Sequence, residues 1–256
     1  MMAKKMNKIT SGTKEWADIN INCIKGCSND CRYCYAKMIA KRFGRCTNEN
    51  WGEMIVNEKS LNKKYPKFNG RVMFPSSHDI PNDSMIKKAC FNIIEKLLES
   101  RNDILITTKP DKIVIDEIIE KFSKYKEIIQ FRFTITSKNN ELLSFWERNA
   151  PNYEERLESL LTTYKNGFKT SVSVEPFLDY YPQELIKEVS PYATESIWIG
   201  PMNYIPRNNI PEKEFVEYQN IRKNYEFEHL KEIYQDLKNH QKIKFKDSFL
   251  FKIKMG

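Results

Sequence analysis

Cys27, Cys31 and Cys34 stand in the spacing C-x3-C-x2-C within the run Cys27-Ser28-Asn29-Asp30-Cys31-Arg32-Tyr33-Cys34-Tyr35. Three thiolates on one short loop can each take one iron of a cubane iron–sulfur cluster, which leaves the fourth iron without a protein ligand. A vacant corner on a redox-active cluster is a place where a small molecule can bind and be reduced. A structural zinc site asks instead for four protein ligands, commonly as paired C-x2-C units. No second pair is present, and the chain has only three histidines, His78, His229 and His240. Cys23 or Cys46 would have to complete a zinc set. Six cysteines with four of them packed into twelve positions do not resemble a disulfide framework. Cys90 lies on an apolar helix face and reads as a small core residue. Cys23 and Cys46 are expected to lie outside the ligand set.

Such a loop needs elements to hold it. Trp16 to Cys23 alternates apolar and polar residues, the period of a strand. Tyr35, Met38, Ile39 and Phe43 recur at helical spacing, with Gly44 as a stop signal. The cysteines therefore fall between a first strand and a first helix. Strand and helix then alternate. Arg71–Ser76 precedes a helix lined by Met85 through Leu98, which Asp83 or Ser84 could cap. Ile104–Thr108 precedes a helix over 112–122, Ile128–Thr136 one over 153–165, and Thr170–Val174 one over 182–189. Ser196–Gly200 is a further strand. Six strand–helix units, the last with a delayed helix, imply parallel pairing through right-handed crossovers. They fall short of the eight that close a full barrel. The pattern predicts an α/β fold, a partial (β/α)6 barrel over about 16–205, with a doubly wound sheet as the runner-up. Residues 210–241 read as one long polar helix and 242–254 as a final strand, a C-terminal helix and strand tail over about 206–256. No linker or repeat divides the chain, so residues 1–256 are expected to be a single domain. In either architecture the reactive groups belong where strands end.

The C-x3-C-x-Tyr-C pattern after a first strand resembles the signature of the radical S-adenosylmethionine (radical SAM) superfamily. Gly26-Cys27-Ser28-Asn29-Asp30-Cys31, Thr107-Thr108-Lys109-Pro110, Trp146-Glu147 through Pro151 to Arg156, and Ser173-Val174-Glu175-Pro176 are similar to its spore photoproduct lyase-like branch. The resemblance implies a [4Fe-4S] cluster on Cys27, Cys31 and Cys34. S-adenosylmethionine (SAM) would chelate the open iron, and its reductive cleavage would give a 5′-deoxyadenosyl radical that takes hydrogen from a substrate. It also implies roles for the strand ends. Tyr33 would lie near the adenine. Ser76 and Ser77 would hold the methionine ammonium, with Asp79 as a nearby anion. Thr107 and Lys109 end the third strand, and the lysine is a point charge for the methionine carboxylate or a substrate phosphate. Thr134, Thr136 and Ser137 would meet the ribose or carboxylate, Arg156 would grip that carboxylate bidentately, and Gly200 would let backbone approach the adenine edge. Glu147 and Glu175 would touch ribose, ammonium or substrate. Lys109, Glu147 and Glu175 are the catalytic candidates. Each also has a plain structural reading: a strand-end lysine, a Ser/Asp turn, a surface pairing of Arg156 with Glu154 or Glu155, a hydrogen-bonded His78.

Composition bounds the partners. In 256 residues, Lys and Arg number 42 against 34 Asp and Glu, a net charge of +8. That excess favours a polyanionic partner such as a nucleic acid or nucleotide. Lys59, Lys63, Lys64, Lys67 and Arg71 are interleaved with Tyr65 and Phe68, a pattern that suits single strands. Lys242, Lys244, Lys246, Lys252 and Lys254 form a second basic group. No apolar run approaches the ~20 residues of a membrane span, and no apolar stretch comes after the basic start Met1–Lys8 as a secretory signal would require. A cytoplasmic enzyme of lyase, transferase or oxidoreductase type, fed by a flavodoxin- or ferredoxin-type one-electron donor, is the expectation. A non-enzymatic zinc- or nucleic-acid-binding protein and an iron–sulfur electron carrier are the alternatives.

Overall fold

The computed structural model describes residues 12–255; the basic start at 1–8 lies outside them. A 3-10 turn at Gly12–Glu15 leads into β1 (Ile19–Asn20). Strands β2 (Ile24–Lys25) and β3 (Ile55–Val56) pair antiparallel as a small ribbon, and the cysteine loop and α1 (Tyr35–Arg42) lie between them in sequence. Next come α2 (Glu58–Asn62), β4 (Val72–Phe74), α3 (Ser84–Glu99), β5 (Ile104–Thr108), α4 (Lys112–Phe122), β6 (Ile129–Thr134), α5 (Asn140–Trp146) and α6 (Tyr153–Lys165). The chain continues through β7 (Lys169–Val174), α7 (Pro182–Val189), β8 (Ile197–Ile199), α8 (Phe215–Lys223), α9 (Phe227–Leu237), β9 (Ile243–Phe245) and α10 (Asp247–Met255).

The main sheet has seven strands in the order β1-β4-β5-β6-β7-β8-β9. Every neighbouring pair is parallel. Each strand is laid beside the one before it, so no point of order reversal exists and the doubly wound alternative falls. The result is an α/β half-barrel. Its helices begin where side chains can satisfy the free N–H groups of a first turn: Asp83 accepts from Met85 N and Ile86 N, Asp111 from Val114 N, and Asn152 from Glu155 N.

Period-2 alternation gives the sheet two different faces. Val72, Phe74, Ile104, Ile106, Phe131, Phe133, Val172, Val174, Ile197 and Ile199 all belong to the apolar core packed under the helices. The residues between them, among them Thr107, Gln130, Arg132, Thr134, Ser171, Ser173 and Trp198, face the concave side. Fully burying one Ile or Phe is worth roughly 1.5–3 kcal/mol, so the outer face supplies the stability and the inner face is free to be polar.

Three sequence expectations change. The first strand is shorter than Trp16–Cys23, because Asn22 leaves the ladder. Its Oδ1 accepts from Ser76 N at 2.8 Å and Ser77 N at 2.9 Å. The long helix over 210–241 is two helices, broken where Asn224 Nδ2 donates to Leu178 O at 2.7 Å and Tyr225 Oη to Phe177 O at 2.6 Å. The final strand over 242–254 is β9 alone, and β9 joins β8 as a seventh strand of the half-barrel rather than trailing it. Beyond β9 the chain is helical as α10, since Phe249 and Ile253 pack at i, i+4 while Phe251 is 59% exposed.

The open side of the half-barrel, between edge strands β1 and β9, is bridged by the segment before β1. Asn20 Nδ2 donates to Thr13 Oγ1 at 2.7 Å. Lys246 Nζ donates to Gly12 O and pairs with Glu15 Oε1, both at 2.8 Å, and Asp247 N donates to Glu15 Oε2 at 3.2 Å.

The basic stretch at 59–71 lies at the opposite end of the sheet from the cysteine loop. Lys67 Nζ donates to Arg101 O at 2.5 Å and sits 3.7 Å from Asp103 Oδ2, just ahead of β5. Tyr65 is buried and Phe68 packs against the core, so these aromatics anchor the loop and offer no stacking platform. The second basic group is dispersed too: Lys246 is buried in ion pairs, and Lys252 and Lys254 lie on α10.

Candidate active site

The cysteine loop is clamped at its start, middle and end. Gly26 sits at φ +87, and a Cβ there would come within 2.2 Å of Glu53 O and 2.7 Å of Trp51 O, so the β3 side of the ribbon closes on bare backbone. Cys27 N donates to Trp51 O at 2.9 Å, and Cys27, Ala36 and Trp51 form a small core of their own with Cys34 and Cys46 against it. In the middle, Asn29 Nδ2 donates to Asp79 Oδ2 at 2.8 Å, Arg32 N to Trp146 O at 2.9 Å, and Arg32 Nε to Phe145 O at 2.6 Å. Arg32 also pairs with Glu214 Oε2 at 2.7 Å. At the end, Cys34 is the N-cap of α1, its Sγ accepting from Lys37 N at 3.4 Å.

Burial pushes the Cys27 thiol up to about 12, with Asp79 adding to the effect. Burial also raises Cys31 and Cys34, against the opposing charge of Lys109. A metal must therefore displace protons on loading. Among the described residues no three Cys, His, Asp or Glu groups gather around one point as a single metal ion requires. A cubane asks for something else, since each thiolate takes a different iron. Three soft sulfur donors, Cys27 and Cys31 buried and Cys34 half-buried, with the Lys109 cation near Cys31 and Cys34, fit that group.

The strand-end residues gather at the same mouth. Lys109 Nζ lies 5.7 Å from the Tyr33 ring centre, and Lys109 N donates to Asp79 Oδ1 at 2.9 Å. Burial works against the lysine charge, yet Cys31, Glu147 and Asp79 together hold its pKa above the ordinary value. Thr108 Oγ1 donates to Asp79 as well, which ties the ends of β4 and β5 together. Ser76 takes Asn22 Nδ2 on its Oγ at 2.8 Å, and its carbonyl accepts from Tyr35 Oη at 2.5 Å. His78 turns inward: its Nδ1 donates to Asp79 O at 2.9 Å and its Nε2 accepts from Cys23 N at 3.3 Å. Cys23 Sγ lies 3.8 Å from Cys90 Sγ in the helix-side core, and Ser137 Oγ donates to Asp179.

Glu147 and Arg156 form a buried pair behind the mouth. Arg156 Nη2 stands 2.6 Å from Glu147 Oε2, close but out of hydrogen-bond alignment, and both side chains are 0% exposed. Tyr33 Oη and, at 2.9 Å, Thr136 Oγ1 donate to Glu147 Oε1. Arg156 Nε donates to Pro151 O at 2.7 Å and Nη1 to Thr134 O at 3.3 Å. Burial raises the Glu147 carboxyl, and Arg156 and Lys109 overcome it, holding the group below its ordinary value. Arg156 is thus no surface partner of Glu154 or Glu155.

Glu175 has the opposite balance. Burial pushes it up to about 7, only partly opposed by Lys246, whose Nζ is 3.7 Å away and engaged with Glu15. Gly200 is where these chains cross: a Cβ would meet Lys246 Cγ at 2.8 Å and Glu175 Cγ at 3.1 Å. Because the native state keeps the Glu175 proton between about 4.5 and 7 while the unfolded chain releases it, stability falls as pH rises through that window, by an amount on the order of 3 kcal/mol. Glu175→Gln should therefore raise the unfolding temperature relative to the parent at pH 8 and much less at pH 5. An equal difference at both pH values would reject a strained carboxylate here.

Sequence reasoning missed Arg132, Trp16, Lys246 in its buried role, and Asn22. The first was readable: Gln130-Phe131-Arg132-Phe133-Thr134 puts two aromatics on one face of a strand and polar groups on the other.

A family model described as the radical SAM superfamily matches residues 21–189. The uncharacterized protein MJ0683 of Methanocaldococcus jannaschii is 29% identical over 184 residues, 68% of this chain and 66% of that one. The uncharacterized protein ORF301 of Acidianus two-tailed virus is 28% identical over 184 residues, 68% of this chain and 58% of that one. Among solved structures, a spore photoproduct lyase complexed with dinucleoside spore photoproduct superposes with a TM-score of 0.51 at 17% identity, covering 87% of this chain and 64% of that one. The chain spans about three fifths to two thirds of the length of each of these relatives. No helix among the described residues is long and apolar enough to cross a membrane.

Proposed function

Because this chain belongs to the radical SAM superfamily, we propose that it is an enzyme whose Cys27, Cys31 and Cys34 hold a [4Fe-4S] cluster with SAM at the open corner. When bound, that pair of cofactors supplies one-electron cleavage of the sulfonium to a 5′-deoxyadenosyl radical able to take hydrogen from an unactivated carbon. The observation that carries the reading is the clamped loop itself. Two buried thiols, a half-buried third and the Lys109 cation lie around one mouth at the C-terminal ends of the strands.

The residues around the mouth divide the work. Lys109 is positioned to receive the methionine carboxylate as a point charge. Ser76 and Ser77, fixed by Asn22, offer carbonyl and hydroxyl acceptors to the ammonium. Thr134 supplies a hydroxyl for the ribose; Thr107, one inward position lower, faces the lumen instead, and the buried Thr136 hydroxyl is already given to Glu147. Tyr33 packs beside the adenine, whereas the space at Gly200 is filled by Lys246 and Glu175, so Gly200 serves that internal crossing rather than the adenine edge. Arg156 acts through Glu147, which in turn fixes Tyr33 and Thr136, so it is a positioning residue rather than a carboxylate grip. Glu175, held near neutrality, is the group at the mouth best suited to exchange a proton with substrate.

An anionic substrate, a nucleotide or nucleic acid included, fits the net charge of +8. A cytoplasmic flavodoxin- or ferredoxin-type protein would deliver the electron. The test is anaerobic reconstitution with iron and sulfide, then dithionite and SAM. Release of 5′-deoxyadenosine is expected. An intact cluster that releases none, or a purified protein holding zinc and no iron, would reject the reading in favour of an electron carrier or a zinc protein.

A further inference from the structure

The lumen contains a cation with no carboxylate in contact. Arg132 is 2% exposed, on the face of β6 opposite Phe131 and Phe133. Its Nε donates to Ser171 Oγ at 3.1 Å, and its guanidinium lies 4.6 Å from the Trp16 ring centre and 5.6 Å from that of Trp198. Its Nη1 has no acceptor, and among the described residues no carboxylate lies within ion-pair reach of it. Burial, with Arg71 adding and Glu175 opposing, brings its pKa down to about 9.

Other polar atoms wait in the same place. Thr107 Oγ1 and Ser173 Oγ are buried and unpartnered. Thr107 stands directly across the β5–β6 ladder from Arg132, and Ser173 is one inward position beyond Ser171 on β7. Buried polar groups in folded proteins are nearly always paired, and a buried charge left alone is strongly unfavourable. A guanidinium and two free hydroxyls on neighbouring inward positions of β5, β6 and β7 offer what an oxyanion takes: N–H donors in a planar fork and O–H donors.

We propose that Arg132, with Thr107 and Ser173, binds one monoanionic oxyacid group of the substrate, a carboxylate or a phosphodiester, inside the lumen beneath the mouth. This deepens the radical SAM reading and rests on it for what reacts above. Arg132 lies two residues below Thr134 along β6, about 6.6 Å. A substrate anchored there by its anion presents its other end to the mouth. The single uncompensated charge selects a monoanion, since a dianion would leave one charge buried and unpaired.

Calorimetric titration of the anaerobically reconstituted protein with propionate and with dimethyl phosphate tests this, against the neutral isosteres propionamide and trimethyl phosphate. One anion is expected to bind saturably at least tenfold tighter than its neutral isostere, and which one does so identifies the oxyacid. Arg132→Met is expected to lose that binding, yet to unfold without ligand at the same or a higher temperature than the parent, because a lone buried charge has gone. Ser173→Ala, which removes one donor only, should weaken the anion severalfold in a chain that keeps its charge. Saturable binding of neither anion, parent-like binding by Arg132→Met, or a lower unfolding temperature for that variant would overturn the proposal. Parent protein that releases 5′-deoxyadenosine but binds no anion loses only this lumen site. Protein that binds the anion but releases none loses the radical reading and keeps the site.

Discussion

Alanine at Cys27, Cys31 or Cys34 should each leave a protein that holds no complete cluster after reconstitution and releases no 5′-deoxyadenosine above background. Alanine at Cys23 or Cys90 should leave both in place. The contrast comes from position rather than residue type. Cys27, Cys31 and Cys34 lie on a loop fixed by Gly26, Asn29 and Arg32, and nearby Lys109 favours the charged forms of Cys31 and Cys34. A cluster held by these three ligands would already have one open corner. A second open corner would remove a third of the protein bonds and let solvent reach the metal. Cys23 is turned away into the core, where a hydrogen bond from Cys90 holds it below the ordinary thiol range despite burial. Iron and sulfide analysis, read beside the nucleoside product, decides. Cluster loss in Cys23→Ala would mean that the ligand set has been misassigned, and retention in Cys31→Ala would mean the same.

The second large effect is on stability. Removing one member of a buried ion pair strands the other, a cost of about 3–5 kcal/mol. In a domain of this size that lowers the unfolding temperature by roughly 6–20 °C. Glu147→Ala leaves Arg156 without its carboxylate and frees Tyr33 and Thr136 as well. Arg156→Ala leaves Glu147 with two hydroxyls and no charge partner in contact. The double variant Glu147→Leu with Arg156→Met removes both charges and should recover much of the loss, so the single effects will not add. The pH sign is opposite to that of Glu175. The Glu147 carboxyl is held low, so its contribution is complete above the ordinary carboxylate value and is lost as pH falls through its depressed one. Thermal unfolding of the four proteins at pH 7 measures this. Additive losses would show that the two groups act separately.

Much of the scaffold was legible because its periodicities are strong. The helices at 112–122, 153–165 and 182–189 and the strand at 104–108 need no help from distant contacts. The C-terminal fifth was not legible. Phe249, Phe251 and Ile253 alternate as a strand would, and only packing reveals that Phe249 and Ile253 share a face while Phe251 does not. Similarly, Asn224 and Tyr225 look like any polar helical pair until their hydrogen bonds to Leu178 and Phe177 break the helix. At the mouth, residue types could be read but pairings could not. Arg156 is separated from Glu147 by a loop, and nothing in the spacing of the two says that they meet in the interior. Lys246 looked like one of a row of surface lysines, and its burial depends on Glu15 at the other end of the sheet.

That last contact sets a schedule for biosynthesis. Glu15 and Asp247 are 232 positions apart in sequence, and they join the two margins of the half-barrel. A nascent chain can lay down the cysteine loop and its ribbon while translation continues, but the side wall cannot form until the ribosome has delivered β9 and the Lys246 that follows it. Any iron loaded during synthesis would meet a vessel still open along its length, exposed to oxygen from the side.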